Sequence, residues 1–339
     1  MQALHPPSSP AQTPPPPGPT RGPRAEHCIA SQAQTLLVQT PHSAGCVLRT
    51  AQTLSLFLGP THGELQDLLP PLKTLARNQN RVACLYKLAA RDAVISRRSK
   101  WDIAAVAVEA VIAPQSFTLQ GSERRQLRRF LRKSEAAGLD FRQLNTDVAP
   151  TDWGLLQDIH QAWEDSHGKE RGLTMGRFCP LYLETKPLFA AFHNGQLIAF
   201  ASAVTESKIM SLDVMRHKQD IPTGTMHGLI HFMIEYARQH GFEEFNLAAL
   251  PHPNLSKYSR VATGLARFKE SFAPTWRPLY MAAPTKAALL IAAADLWQAI
   301  HRPDPIVYAL EDPWRIDAML TGEIPKPVVE VQSQTRRSA

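Results

Sequence analysis

Cysteine is scarce in these 339 residues. There are four, Cys28, Cys46, Cys84 and Cys179, with neither a CxxC pair nor metal-ligand spacing, so scattered reduced thiols of a cytoplasmic protein are expected. Long apolar runs are also lacking. The longest, 103–113 and 287–294, fall well short of the roughly 18 residues that a membrane-spanning helix needs. The N-terminus carries prolines where a secretory signal would have an apolar stretch. The thirteen histidines do not cluster. His227 and His231 lie four apart without the glutamate of an HExxH site, so no metal is expected. Together these absences predict a cytoplasmic protein, or one peripheral to the inner face of the cytoplasmic membrane.

What is present is ordinary for a soluble globular chain, with 44% apolar and 20% charged residues, and the length suits two domains. The net charge of +7 favours anionic partners such as nucleic acid, an acidic membrane surface or phosphate-bearing substrates. A basic surface kept for solubility is the alternative.

Residues 1–29 are dominated by a Pro-rich stretch that cannot bury a core, and they are expected to be a disordered tail. A first domain is expected over 30–150, with strands near 51–59 and 82–88 and a helix between them. SERRQLRRFLRKSEAAG (122–138) predicts a further helix closed by Gly138. It carries Arg124, Arg125, Arg128, Arg129, Arg132 and Lys133 around an apolar side of Leu127, Phe130 and Leu131. This is either a solvated face or a contact for the phosphates of tRNA or anionic lipid.

A polar linker at 145–150 marks the expected boundary. The second domain, 151–303, begins with a helix capped by Thr151 and continues through a hairpin turning at Asn194-Gly195. Its centre is 207–250. Ile209–Met215 reads as a strand with Asp213 and Arg216 near its end, and Gly224 opens a helix whose apolar residues recur at i, i+3, i+4 and i+7. Gly241 stops that helix before a strand over 242–250. A helix over 261–271, a strand near 278–282 and a helix over 286–300 follow, and 304–339 reads as an irregular tail. The order helix, hairpin, strand, helix, strand, helix, strand is that of GNAT-type acyltransferases. The expected architecture is therefore α/β with mixed sheets, as two tandem GNAT-type folds.

From about Tyr86 to Pro284 the chain resembles the catalytic domain of bacterial phosphatidylglycerol lysyltransferases, also called lysyl-phosphatidylglycerol synthases. Six blocks carry the likeness in order: WDIAAVAVEAVI with the basic helix, KERGLTMGRF, LIAFASAV, SLDVMRHKQDIPTGTMHGLI, GFEEFNLAALP and GLARFKESFAPTWRPLYMAAP. The family's multi-helix membrane flippase has no counterpart among these 339 residues. The pattern also departs at His227, Leu279 and Val108, where the family has an acid, an arginine and one of two paired acids.

The resemblance implies transfer of an aminoacyl group from aminoacyl-tRNA, as co-substrate and without a cofactor, to the glycerol hydroxyl of phosphatidylglycerol. It marks Asp213, Arg216 and Lys269 as catalytic positions, and Glu170 as a further acidic position. Asp213 and Arg216 sit where open α/β sheets place ligands. Asp213 would recognise the donor's ammonium or act as a base, and Arg216 would hold a phosphate. A plain salt bridge between the two is the alternative. Lys269 would contact a phosphate or oxyanion, or else be a surface lysine. Glu170, Asn246, Arg267 and Tyr280 are candidate substrate contacts, Glu170 for a cationic side chain on the transferred amino acid. A CoA-dependent N-acyltransferase and a non-catalytic tRNA- or membrane-binding module are the competing readings. The turn Asp220–Gly228 has Gly224 but lacks the close glycine pair that a pyrophosphate cradle uses.

Overall fold

The computed structural model describes residues 24–144, 152–256 and 260–306. A 3-10 turn, Ala25–His27, leads into α1 (Cys28–Gln32), then β1 (Thr35–Gln39), β2 (Ala44–Arg49), β3 (Thr53–Phe57), α2 (Leu65–Asn78), β4 (Val82–Leu88), α3 (Ala90–Arg98), β5 (Asp102–Ile112), α4 (Arg125–Ala136) and β6 (Asp140–Leu144). The expected linker at 145–150 and the Thr151 cap lie outside the described residues. Next come α5 (Trp153–His167), α6 (Pro180–Leu183), β7 (Leu188–His193), β8 (Gln196–Glu206), β9 (Ile209–His217), α7 (Thr225–Gln239), β10 (Glu244–Pro251), α8 (Pro253–Ser256), α9 (Arg260–Glu270), β11 (Thr275–Ala283) and α10 (Lys286–His301).

Among the described residues, eleven strands join one mixed sheet in the order β1-β2-β3-β4-β11-β5-β10-β9-β8-β7-β6. The two halves of the chain interleave in it. β11, from the C-terminal half, lies between β4 and β5, and β6, from the N-terminal half, pairs antiparallel with β7. Side chains alternate across the strands, so each face needs its own cover. α1, α5, α6 and α10 contribute to the apolar cluster on one face. On the other, α2 and α3 cover β1–β4, while α4, α7 and the region around Phe268 and Phe272 cover β5–β10. Strands buried on both faces read as continuous apolar runs, as in LIAFASAV.

Two glycines fix the central unit. Gly224, at φ 103°, opens α7, and a Cβ there would lie 2.4 Å from the Phe130 carbonyl oxygen of α4. Gly241, at φ 73°, ends the same helix in the left-handed region that glycine adopts at least cost.

Residues 24–29, assigned from sequence to the disordered tail, are instead folded. The 3-10 turn touches β8 and β9, and Ala25, Glu26, Cys28 and Ile29 are buried. Proline-rich neighbours hid this, because the partners that hold the segment lie far along the chain. The rest of both tails, residues 1–23 and 307–339, lies outside the described residues. Three elements not anticipated from sequence, β1, β2 and α3, extend the first half.

Candidate active site

The parallel pair β9–β10 is short. It holds only from Glu244 opposite Ile209 to Asn246 opposite Ser211. Beyond that point β10 bulges between Asn246 and Ala249 while remaining paired to β5, and β9 stays with β8. The strands part there, and the catalytic candidates divide between the two flanks of this split, or crevice.

On the β9 flank, Asp213 is fully buried. Its carboxylate accepts from the Gly176 amide (2.7 Å), the Tyr182 hydroxyl (2.8 Å) and the Ser202 hydroxyl (3.2 Å). Burial pushes its pKa up, and these three donors pull against that rise. Gly176 allows the approach, because a Cβ there would sit 2.6 Å from the carboxylate.

Arg216 does not pair with Asp213. Its guanidinium is ion-paired with Glu170, donates to the Met215 carbonyl (2.8 Å) and lies 4.1 Å over the Trp163 ring. Trp163 is thus a stacking platform for an arginine, and Trp153 packs against the core. Glu170 also accepts from the Phe178 amide at 2.8 Å. A cationic substrate group would have to compete with Arg216 for this carboxylate. His160, Glu164 and Glu170 bring ligand-type atoms within 4.8 Å of one another. Arg216 already supplies the positive charge there, and its Nε lies 3.4 Å from His160 Nδ1.

On the β10 flank, Lys269 is buried rather than a surface lysine. Its ammonium donates to the carbonyls of Ala248 (2.9 Å) and Ala249 (3.4 Å), which the bulge turns towards it. Burial pulls its pKa down to about 7, with Glu26 opposing and Lys87 adding to the fall. Asn246 holds the bulge: its side chain accepts from the Ala248 amide (2.9 Å) and donates to Glu109 (2.7 Å). Glu109 in turn is bridged to Arg24 at 3.1 Å, and Lys87 is ion-paired with Glu26. Ser211, two residues before Asp213 at the parting of the strands, has a buried hydroxyl with no partner among the described residues.

The remaining candidates lie elsewhere. Arg267 is exposed near the end of α9. Tyr280 packs against the cluster that includes Leu72, Leu85, Leu88 and Trp101, on the face opposite Met281 and away from the Asp213 cluster. At α4, the N-cap residue Arg124 and Arg128 are tied to backbone carbonyls of Phe272, Leu119 and Gly121. Arg125, Arg129, Arg132 and Lys133 are exposed and make no ion pair among the described residues. His227 stacks on Phe130 (3.9 Å) beside Phe268 and Phe272, and burial lowers its pKa to about 4.

Sequence reading missed Arg24, Glu26, Lys87, Glu109, Tyr182, Ser202 and Ser211. The one available signal was the acid retained at Glu109, beside Val108 in the departing family pair.

Among curated proteins, the chain is 26% identical over 221 residues to the phosphatidylglycerol lysyltransferase of Bacillus subtilis, a match covering 58% of this chain and 26% of that protein. The chain thus spans about a quarter of the length of this relative. Among solved structures, the C-terminal domain of a putative lysylphosphatidylglycerol synthetase from Agrobacterium fabrum matches with a TM-score of 0.74 at 22% identity, covering 84% of this chain and 94% of that one. L-PGS from Bacillus licheniformis matches with a TM-score of 0.69 at 20% identity, covering 82% and 91%. These matches show the fold, a mixed α/β architecture of GNAT type built on the one continuous sheet described above. The family model for the C-terminal region of phosphatidylglycerol lysyltransferase matches residues 29–283, three quarters of the chain and both flanks of the crevice, and the chain belongs to that family.

Proposed function

We propose that the chain transfers an aminoacyl group from aminoacyl-tRNA to the glycerol hydroxyl of phosphatidylglycerol or a related anionic lipid, in the crevice between β9 and β10. The observation that carries this reading is Lys269, a buried amine held by the Ala248 and Ala249 carbonyls, its pKa drawn down to about 7 by burial, set across the strand split from the buried carboxylate Asp213. Exchanging one ester for another needs a proton acceptor for the attacking hydroxyl and donors for the oxyanion. Neutral Lys269 takes the glycerol hydroxyl's proton as the new C–O bond forms and returns it to the ribose oxygen that leaves. Asp213 recognises the donor's ammonium through the acceptor capacity its three donors leave free. Arg216, Glu170 and Trp163 are positioning residues that fasten α5 and the 168–178 loop to β9.

The relative's name supplies the substrate class, and two surfaces suit such substrates. The four exposed cations of α4 offer contacts to tRNA phosphates. The outer face of α10 exposes Leu290, Ile291 and Trp297 between Lys286 and Arg302, an apolar stripe with cations at its ends, as in helices that lie in a lipid headgroup region. This arrangement favours peripheral attachment to the inner membrane face. Against CoA as donor stands α4 itself. It covers the first turn of α7, where CoA-dependent relatives of the fold hold the pyrophosphate, closely enough that only glycine fits at 224.

The test is to incubate the purified protein with charged tRNA and phosphatidylglycerol vesicles and to analyse the lipids by mass spectrometry. An aminoacylated lipid is expected. Its absence beside an active family control would sink the reading, and saturable acetyl-CoA binding would replace it.

A further inference from the structure

The end of the sheet towards which β9 and β10 part carries a second group of cations besides those of α4. β4 and β5 start at this end, and β9, β10 and β11 finish there, because Pro251 pairs with Ala107 and Ala283 with Asp102. α2 stops just before β4, and α3 just before β5. The last two turns of α2 therefore bring Lys73 and Arg77 to this end, and the end of α3 brings Arg97, Arg98 and Lys100. All five are exposed. The acids of the two helices do not face them: Glu64, the N-cap of α2, pairs with Arg91, Asp67 accepts from the Ser43 hydroxyl (2.8 Å), and Asp92 is buried. Asp102, at the start of β5, is half-buried.

Lys73, Arg77, Asn80 and Pro284 line an open concavity between α2 and the start of β4. Arg81 lines it too, and donates to the carbonyls of Thr50 (2.9 Å) and Gln79 (3.1 Å). The Lys73 ammonium stands 5.2 Å over the Trp101 ring. The opposite face of the sheet differs. Of the six large apolar side chains exposed among the described residues, Leu155, Leu181, Leu290, Ile291 and Trp297 belong to α5, α6 and α10, and Val94 alone lies on the side of α2, α3 and α4. A lipid-binding helix combines cations with exposed apolar side chains, whereas a surface that tracks a nucleic-acid backbone relies on its cations. Cations in the last turn of a helix also complement its dipole. That role covers Arg77, Arg97 and Arg98, but not Lys73 or Lys100, which lie outside those turns.

We propose that the ends of α2 and α3 form a second docking surface for an RNA backbone, which works with α4 to hold a duplex across this end of the sheet. α4 packs on the first turn of α7, which follows β9. β4 stands four strand positions from β9, about 20 Å at the spacing of paired strands, so one polyanion reaches both groups of cations. A duplex RNA suits such a surface, because it is recognised largely through its shape and phosphates. That the RNA is aminoacyl-tRNA rests on the reading given under Proposed function; the placement of the cations does not. Lys73, Arg77, Arg97, Arg98 and Lys100 then become RNA-binding residues, and the apolar face of α10 stays free for lipid.

The experiment measures binding of bulk deacylated tRNA to the full chain by fluorescence anisotropy over a series of salt concentrations, and binding to phosphatidylglycerol vesicles by flotation. In the quadruple variant Lys73→Gln, Arg77→Gln, Arg97→Gln, Arg98→Gln, tRNA affinity should fall about 10- to 100-fold, and the slope of log K against log salt should shrink by about 3. Vesicle binding should stay as in the wild type. The charge-keeping variant Arg77→Lys, Arg97→Lys, Arg98→Lys should bind tRNA within about twofold of wild type, which separates lost charge from lost packing. Lys100→Gln, outside both helices, should weaken tRNA binding by about threefold with an unchanged thermal melt. If the quadruple variant and Lys100→Gln both bind tRNA as the wild type does, the proposal is overturned and the transferase reading stands. A wild-type protein that binds no tRNA overturns both. A loss of vesicle binding in place of tRNA binding makes the surface a membrane contact and overturns the proposal.

Discussion

The two flanks of the crevice are built in different ways. On the β9 flank, Asp213 and Arg216 take their partners from residues 160–216, within one stretch of the second half. On the β10 flank, Lys269, Asn246, Glu109, Lys87 and Glu26 come from five separate elements and meet only because β11 and β10 flank β5 in the assembled sheet. The first flank is a preassembled clamp in which Arg216 is paired with Glu170 and Asp213 is held by three neutral donors. The second concentrates buried charge around an amine near neutrality, and it is where proton transfer is proposed. Positioning is thus local, and reactivity is assembled from afar.

The largest effect that tests this division is at Lys269. Lys269→Met should lower the transfer rate by about 10³-fold, within the range expected for losing a general base. Wild-type activity should rise with pH through about 7, as the amine loses its proton. Stability should move the other way on mutation. The folded amine releases its proton near 7, well below the ordinary lysine value of 10.5, so between those limits the unfolded chain binds the extra proton and stability rises with pH. Below 7 the folded protein must keep a buried ammonium and the penalty is complete. Lys269→Met should therefore melt about 2–4 °C higher than wild type at pH 6, with the gap narrowing towards pH 10. Thermal melts at the two pH values check this. A variant that loses both activity and stability at pH 6 would make Lys269 a structural residue and erase the contrast between the flanks.

The same contrast explains what the sequence revealed. β9, α7 and β10 were legible because apolar periodicity and two glycines are local signals, and the block LDVMR pointed to Asp213 and Arg216. Lys269 was found through its block, but its burial was not, because no local pattern shows that a bulge 20 residues earlier will turn two carbonyls towards it. Glu26 was hidden by its proline-rich neighbourhood, and its partner Lys87 is 61 residues away. The place of β11 between β4 and β5 follows from long-range pairing alone. Tyr280, taken from its block ending, lies in the α2–α3 cluster, because a one-residue step along β11 changes the face.

A middle-sized effect is expected at the clamp. Glu170→Gln leaves the Arg216 guanidinium buried without its counter-charge, which should destabilise the protein by about 3–5 kcal/mol. Activity measured below the lowered melting point should fall less than for Lys269→Met, because Glu170 holds α5 and the 168–178 loop rather than the reacting atoms. Denaturant unfolding and initial rates separate the two quantities. If the rate falls as far as it does for Lys269→Met while the fold is intact, the β9 flank takes part in the chemistry and the division between clamp and base fails.

The smallest effect sharpens the comparison most, because it touches Asp213 without changing its charge. Tyr182→Phe removes one of the carboxylate's three donors and keeps the ring that packs in the core. A hydrogen bond to a charged group contributes about 1.5–3 kcal/mol, and the loss of stability should fall in that range. Burial already raises the Asp213 pKa and the Tyr182 hydroxyl counteracts it, so the variant's carboxyl should titrate higher still. If Asp213 recognises the donor ammonium, it must be ionised to do so. The acid limb of kcat/KM should then move to higher pH in Tyr182→Phe, while the rise that reports Lys269 stays near 7. A pH–rate profile that shifts as a whole would mean that the two flanks titrate as one coupled site; a shift confined to the acid limb would show that they act independently across the crevice.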